Sequence, residues 1–86
     1  MAEPVVNDEQ TEDIRRLIAG LAELAPDSVA DDAHFKDDLE MDSLLTMEIA
    51  VHLEREYGIR LAEGDLGEIT TVRRCADLVR AKQVDR

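Results

Sequence analysis

The stretch DLEMDSLLTMEIAVHLEREYG, residues 38–58, decides how this chain folds. Asp42 precedes a long amphipathic run and Gly58 closes it, pairing an N-terminal cap with a residue suited to a left-handed C-terminal cap. The pattern predicts a helix that begins at Asp42 or Ser43 and stops at Gly58. On that helix Thr46, Ile49, Ala50, Leu53 and Tyr57 fall on one stripe, at the i, i+3, i+4, i+7, i+11 spacing of a core contact. A second stripe of Leu44, Met47 and Val51 lies to one side, flanked by Glu40 and Glu48. Either neighbouring helices cover both stripes, or the second is an open docking strip with an apolar centre and an acidic rim. Met47 suits the second arrangement, because a flexible thioether adapts to several partners.

Working outward, residues 1–7 carry Pro4 and no periodicity and are expected to form a loose tail. Asn7 and Gln10 have the form of a weak capping box, and acids crowd the turn that follows. Ile14, Leu17, Ile18, Leu21 and Leu24 then mark one face of a first helix from about Asp8 to Ala25, ended by Pro26. From Pro26 to Asp42 no period is sustained. A connection of that length is either functional or anchored by its own side chains, here Val29, Phe35 and Leu39. Beyond Gly58, the glycines at 64 and 67 leave room only for a short helical turn around Asp65 and Leu66. Thr70 or Thr71 caps a last helix whose inward residues are Val72, Cys75, Ala76 and Val79. The expected fold is all-α, a small bundle of three principal helices plus one short helix, without strands. Its functional domain is placed at residues 8–82, with tails at 1–7 and 83–86.

A chain of 86 residues with one continuous pattern accommodates a single small domain. Apolar residues make up 44% of it, yet the only aromatics are Phe35 and Tyr57, so the core is aliphatic. Acids outnumber bases by 21 to 10, giving a net charge of -11. Residues 1–68 hold 19 of the acids and five of the bases, while residues 69–86 are net basic. Such an acidic body repels nucleic-acid phosphates and anionic lipid, and it attracts proteins with basic docking surfaces. The single Cys75 excludes an intramolecular disulfide and any CxxC metal site, which fits a reducing compartment. No leader is evident, and no apolar run approaches the ~18 residues of a membrane span. The expectation is a cytoplasmic monomer with no nucleic-acid or membrane partner.

Ser43 raises a separate question, since a serine at a helix start is usually a cap or first-turn residue. Asp42 is the better cap, which frees the Ser43 hydroxyl to project outward. A phosphate ester formed there would meet unsatisfied backbone N–H groups and the positive end of the helix dipole. A hydrolytic nucleophile is not supported. His52 lies nine residues on, about 13 Å along the axis at a rise of ~1.5 Å per residue. His34 has no such limit, but Ser43 lacks a Gly-x-Ser-x-Gly elbow and an oxyanion loop. The acids Asp37, Asp38, Glu40 and Asp42 lack the spacing of a calcium loop, so no metal site is predicted. Cys75, on the inward face of its helix, reads as a small core residue.

Phe35-x-x-Asp38-Leu39, Asp42-Ser43-Leu44, Glu48, HLEREYGI at residues 52–59 and ITTV at residues 69–72 together resemble the acyl carrier proteins. The resemblance runs without a gap from about Val29 to Val79. Asp-Ser-Leu alone is a weak signal; the ordered set is a strong one. It implies that a phosphopantetheinyl transferase moves 4'-phosphopantetheine from coenzyme A onto Ser43, between Asp42 and Leu44. The arm's terminal thiol then carries an acyl group as a thioester, and the carrier itself catalyses nothing. Acyltransferase, ketosynthase or ligase partners would dock on Leu44, Met47, Glu48, Val51 and Glu40. One departure stands out: the family usually has glycine where this chain has Glu40, which restricts the turn and adds charge beside the arm. The chain also lacks the Gly-Gly lead common in peptidyl carriers, which favours acyl loads over aminoacyl or peptidyl ones. Polyketide or other specialised metabolism is placed ahead of fatty-acid synthesis. The alternative from another class is an acidic helical adaptor without a prosthetic group, occupying a basic protein surface.

Overall fold

The computed structural model describes residues 5–84, with side chains from 9 to 83. Helix α1 spans Val5–Ala22, α2 spans Ser43–Tyr57 and α3 spans Val72–Val84, with short 3-10 turns at Pro26–Ser28 and Glu63–Glu68. No strand occurs among the described residues, so the expected helical bundle is found, with a second short turn after α1. Each helix turns one apolar face inward. α1 contributes Ile14, Ile18 and Ala19, α2 contributes Ile49, Ala50 and Leu53, and α3 contributes Val72, Cys75, Ala76, Leu78 and Val79. Thr71 caps α3 by accepting the Arg74 N–H at 3.0 Å, and Asp65 closes the second 3-10 turn by accepting the Ala62 N–H at 2.8 Å.

α1 departs from expectation at both ends. It is already helical at Val5, so Asn7 lies inside it and cannot cap it, and residues 5–7 are not tail. Residues 1–4 of the expected tail lie outside the described residues. At the other end the helix stops at Ala22, not Ala25, because Glu23 takes a left-handed φ of 60°. The Leu24 N–H donates to the Ala19 carbonyl at 2.9 Å and the Glu23 N–H to the Gly20 carbonyl at 3.3 Å. That pair of bonds satisfies carbonyls the helix end would leave orphaned. Leu24 is thereby carried off the core face and is 36% exposed. Pro26 opens the next 3-10 turn instead of ending the helix, its fixed φ suiting a first helical position. α3 runs through Val84, into the segment expected as a tail, and residues 85–86 lie outside the described residues.

The long connection into α2 is anchored from within and from two helices. Val29 and Phe35 are buried and Leu39 is half-buried, as expected; Met41 joins them in the core. The Phe35 N–H donates to the Thr70 carbonyl at 2.8 Å and the Arg73 N–H to the Asp31 carbonyl at 3.1 Å. Arg15, reaching from α1, hydrogen-bonds the Val29 carbonyl and the Asp31 carboxylate and pairs with Glu12 at 2.9 Å. The bonds to Glu12, the larger effect, and to Asp31 hold its guanidinium above the usual arginine range. Arg73, from α3, pairs with Asp32 at 2.9 Å. The segment that delivers Asp42 and Ser43 is therefore fixed before α2 begins.

Candidate functional site

α2 starts as the sequence predicts. Asp42 is extended, with φ -94° and ψ 177°, and its side chain accepts the Leu45 N–H at 2.9 Å. Its carbonyl accepts both the Thr46 N–H and the Thr46 hydroxyl at 3.1 Å. Ser43 is the first helical residue and is exposed. Because Asp42 is the cap and takes Leu45, the N–H groups of Ser43 and Leu44 have no intrahelical acceptor. An anionic phosphodiester on Ser43 would find donors and the positive end of the dipole beside it. The residues present fit a phosphopantetheine arm. Gly58 ends α2 in the left-handed region at φ 61°, with Cβ space open around it, so backbone conformation alone favours glycine there.

The two stripes separate cleanly. Ile49, Ala50 and Leu53 are buried, with Thr46 and Tyr57 partly so. Leu44, Met47 and Val51 are 69%, 49% and 47% exposed. Neighbouring helices leave this second stripe open to solvent, and both Glu40 and Glu48 are exposed.

Glu40 has a specific backbone role. The Asp38 and Leu39 N–H groups donate to the His34 carbonyl at 2.8 and 3.1 Å, and the Met41 N–H returns to the Phe35 carbonyl at 2.8 Å. The chain reverses at Glu40, whose φ is 57°. That conformation explains why glycine is favoured here, since a Cβ in the left-handed region costs about 1 kcal/mol or more. Glu40→Gly is expected to raise the unfolding free energy by about 1 kcal/mol and the melting temperature by roughly 4–8 °C. A thermal melt checks this, and a lower melting temperature would show that the Glu40 side chain outweighs the strain.

The histidines are not placed as bases for Ser43. The His34 Nδ1 accepts the Lys36 and Asp37 N–H groups, both at 3.3 Å, and the His34 N–H donates to Asp38 Oδ2 at 2.8 Å. It caps its own turn. His52 instead lines a groove between α1 and α2 with Asp13, Arg16, Leu17 and Tyr57. Cys75 is fully buried, and burial pushes its thiol up to about 12, well away from reactivity at neutral pH. Among the described residues no group of three or more His, Cys, Asp or Glu side chains could hold a metal ion. None of the described helices is long and apolar enough to cross a membrane. A cavity of about 270 Å³, lined by His34, Phe35, Lys36, Thr46, Leu66 and Ile69 among others, went unforeseen. Three separate segments build it, so no local pattern announces it.

A small helical domain that offers an uncommitted serine hydroxyl at the mouth of its central helix has the form of a prosthetic-group carrier. The family model described as the phosphopantetheine attachment site matches residues 12–79, and the chain belongs to that family. It is a carrier of acyl groups on 4'-phosphopantetheine, not a catalyst, and it works with a phosphopantetheinyl transferase and with biosynthetic enzymes. Polyketide-8 synthase acyl carrier protein 2 of Streptomyces avermitilis is 45% identical over 74 residues, 86% of this chain and 85% of that protein. The meromycolate extension acyl carrier protein of Mycobacterium bovis is 35% identical over 69 residues, 80% of this chain and 60% of that protein. The structure of the acyl carrier protein from Enterococcus faecalis matches with a TM-score of 0.73 at 29% identity, covering 88% of this chain and 96% of that one. An adaptor without a prosthetic group is set aside by the family match.

Proposed function

We propose that Ser43 accepts the 4'-phosphopantetheine and that the loaded protein carries acyl intermediates of polyketide assembly. The observation that carries this reading is the exposed Ser43 hydroxyl at the first position of α2, released from capping by Asp42. Likeness to the polyketide carrier over most of both chains supports that pathway ahead of lipid extension, where the relative is less similar and longer. In forming the ester, Ser43 Oγ makes the new bond to the pantetheine-side phosphorus of coenzyme A, the pyrophosphate P–O bond on the far side breaks, and adenosine 3',5'-bisphosphate leaves. The Ser43 proton leaves to a base on the transferase, since His34 Nδ1 is engaged within its own turn. The Ser43 and Leu44 N–H groups orient the phosphate oxygens. We place the functional unit at residues 8–82, as a monomer in the cytoplasm. Incubation with coenzyme A and a promiscuous transferase, followed by intact-mass and fragment-mass measurement, tests the assignment. One phosphopantetheine on Ser43 is expected; a group on any other residue, or none, overturns it.

Acyltransferase, ketosynthase or ligase partners with basic docking surfaces are recognised, in this reading, on Leu44, Met47 and Val51, with Glu40 and Glu48 at the rim. Rim charges chiefly set the rate of encounter, and desolvated apolar contacts chiefly set dissociation. Glu48→Lys should slow association and flatten its salt dependence, whereas Val51→Asp should shorten the lifetime of the complex. Acyl transfer from each loaded variant to a cognate enzyme, across a salt series, measures both. If both variants are folded and loaded yet transfer as fast as the parent, recognition lies elsewhere, with the loop at residues 27–41 the next surface to test.

A further inference from the structure

We infer that Glu40 is the residue by which the transferase that loads Ser43 selects this carrier, its carboxylate meeting a lysine or arginine of that enzyme. The inference rests on Ser43 being the attachment point. Glu40 holds the left-handed region at φ 57°, where a side chain is strained and glycine is not. Strain of this kind persists where another interaction offsets it. Among the described residues there is none. The Glu40 side chain is exposed, and it forms no hydrogen bond or ion pair with any of them, Lys36 four positions back included. The dipole of α2 does not supply the offset either, because its effect is confined to the first turn and Asp42 already fills the cap position. The contact that retains a glutamate here therefore lies on a partner.

The acids around it are engaged. Asp42 accepts the Leu45 N–H at 2.9 Å, Asp38 accepts the His34 N–H at 2.8 Å, and Asp37 lies 3.8 Å from the His34 Nδ1. Glu40 is the one carboxylate between Phe35 and Ser43 without a partner in the chain. Its backbone is nevertheless fixed on both sides, by the Leu39 N–H on the His34 carbonyl at 3.1 Å and the Met41 N–H on the Phe35 carbonyl at 2.8 Å. The charge is thus presented from a turn that needs no ordering when a partner binds.

Position singles out the loading step. Three residues of chain span at most ~11 Å, so Glu40 lies within that distance of Ser43. A protein interface takes in roughly 20 to 30 residues of each partner, so an active site closed over the Ser43 hydroxyl covers Glu40 as well. Enzymes that act later take hold of the thiol end of the arm and need not close over Ser43. A carboxylate with no partner of its own is met most favourably by a lysine or arginine, and a transferase that lacks that cation leaves the charge covered and unpaired.

Two variants separate charge from strain: Glu40→Gln removes the charge and keeps the side chain, and Glu40→Gly removes both. From a panel of purified transferases, the one that loads the parent fastest is used with coenzyme A, and KM and kcat for the carrier are measured across a salt series. Circular dichroism checks folding, and fragment mass places the group on Ser43. Both variants should raise KM by about two- to fivefold at low salt, as expected of one exposed ion pair, and should keep kcat, because the charge touches no reacting atom. The gap to the parent should close as salt rises. Glu40→Asp, which keeps a carboxylate, should recover most of the loss. Glu23→Gln controls for net charge, since Glu23 is exposed and left-handed at φ 60° but stands at the end of α1, and its KM should match the parent's. An unchanged KM in Glu40→Gln, a rise confined to Glu40→Gly, or an equal rise in Glu23→Gln overturns this inference alone. Failure of the mass to appear on Ser43 overturns the attachment on which it rests.

Discussion

Ser43→Ala is expected to take up no phosphopantetheine at all, while its stability stays within about 0.5 kcal/mol of the parent. The cap is the reason the two effects separate. Asp42 holds the Leu45 N–H and its carbonyl receives Thr46, so removing the Ser43 hydroxyl leaves the first turn of α2 intact. The other serine in the chain, Ser28, has a superficially similar setting in Asp27-Ser28-Val29. It cannot substitute. Ser28 ends a three-residue 3-10 turn and does not begin a helix, and Val29 after it is 1% exposed, where Leu44 after Ser43 is 69% exposed. A transferase that grips the residue after the serine therefore finds nothing to hold at Ser28. Intact mass after transferase treatment, beside a circular-dichroism melt, reads both halves of the prediction. A mass increase in the variant would relocate the attachment site, and a large loss of helicity would show that the hydroxyl supports the cap after all.

What the sequence made legible was whatever it marks with residue type. α2 could be bounded because Asp42 and Gly58 are the residues a helix start and a left-handed stop favour, and both serve as such. The end of α1 could not, because the left-handed stop falls on Glu23, a residue type that gives no sign of it, three residues before the conspicuous Pro26. Glu40 is an intermediate case. It was visible as a departure from a glycine position, but the reason for that glycine is a φ of 57°, which only the backbone shows. Hydrophobicity picked out Val29 and Phe35 as loop anchors and passed over Met41, since the loop has no period against which its burial could be judged. The pairings Arg15–Asp31 and Arg73–Asp32 join residues 16 and 41 positions apart, beyond the reach of any local pattern. The cavity at His34 and Lys36 was hidden for the same reason, its walls coming from the loop, α2 and the second 3-10 turn.

Leu53→Ala should lower the unfolding free energy by about 2 to 5 kcal/mol, and Met47→Ala by less than about 1 kcal/mol. Both residues sit on α2, six positions apart, and the difference lies in what surrounds them. Leu53 is 0% exposed within the cluster formed by Ile14, Ile18, Phe35, Val72 and Val79, so truncation removes its burial and leaves a void that close-packed neighbours only partly fill. Met47 is 49% exposed, so truncation forfeits about half of a side chain's burial and opens no enclosed space. A domain of this length has roughly 4 to 13 kcal/mol in total at ~0.05–0.15 kcal/mol per residue, so the Leu53 variant is brought close to unfolding. Urea denaturation with unchanged m-values measures both losses. Loading adds a functional readout, because the transferase needs the folded start of α2. Its rate should fall in the Leu53 variant as the folded fraction falls, and should keep its parental value in Met47→Ala wherever the transferase does not itself grip the exposed strip. Equal losses of stability in the two variants would mean that Met47 is as enclosed as Leu53 and that α2 has no free face for a partner.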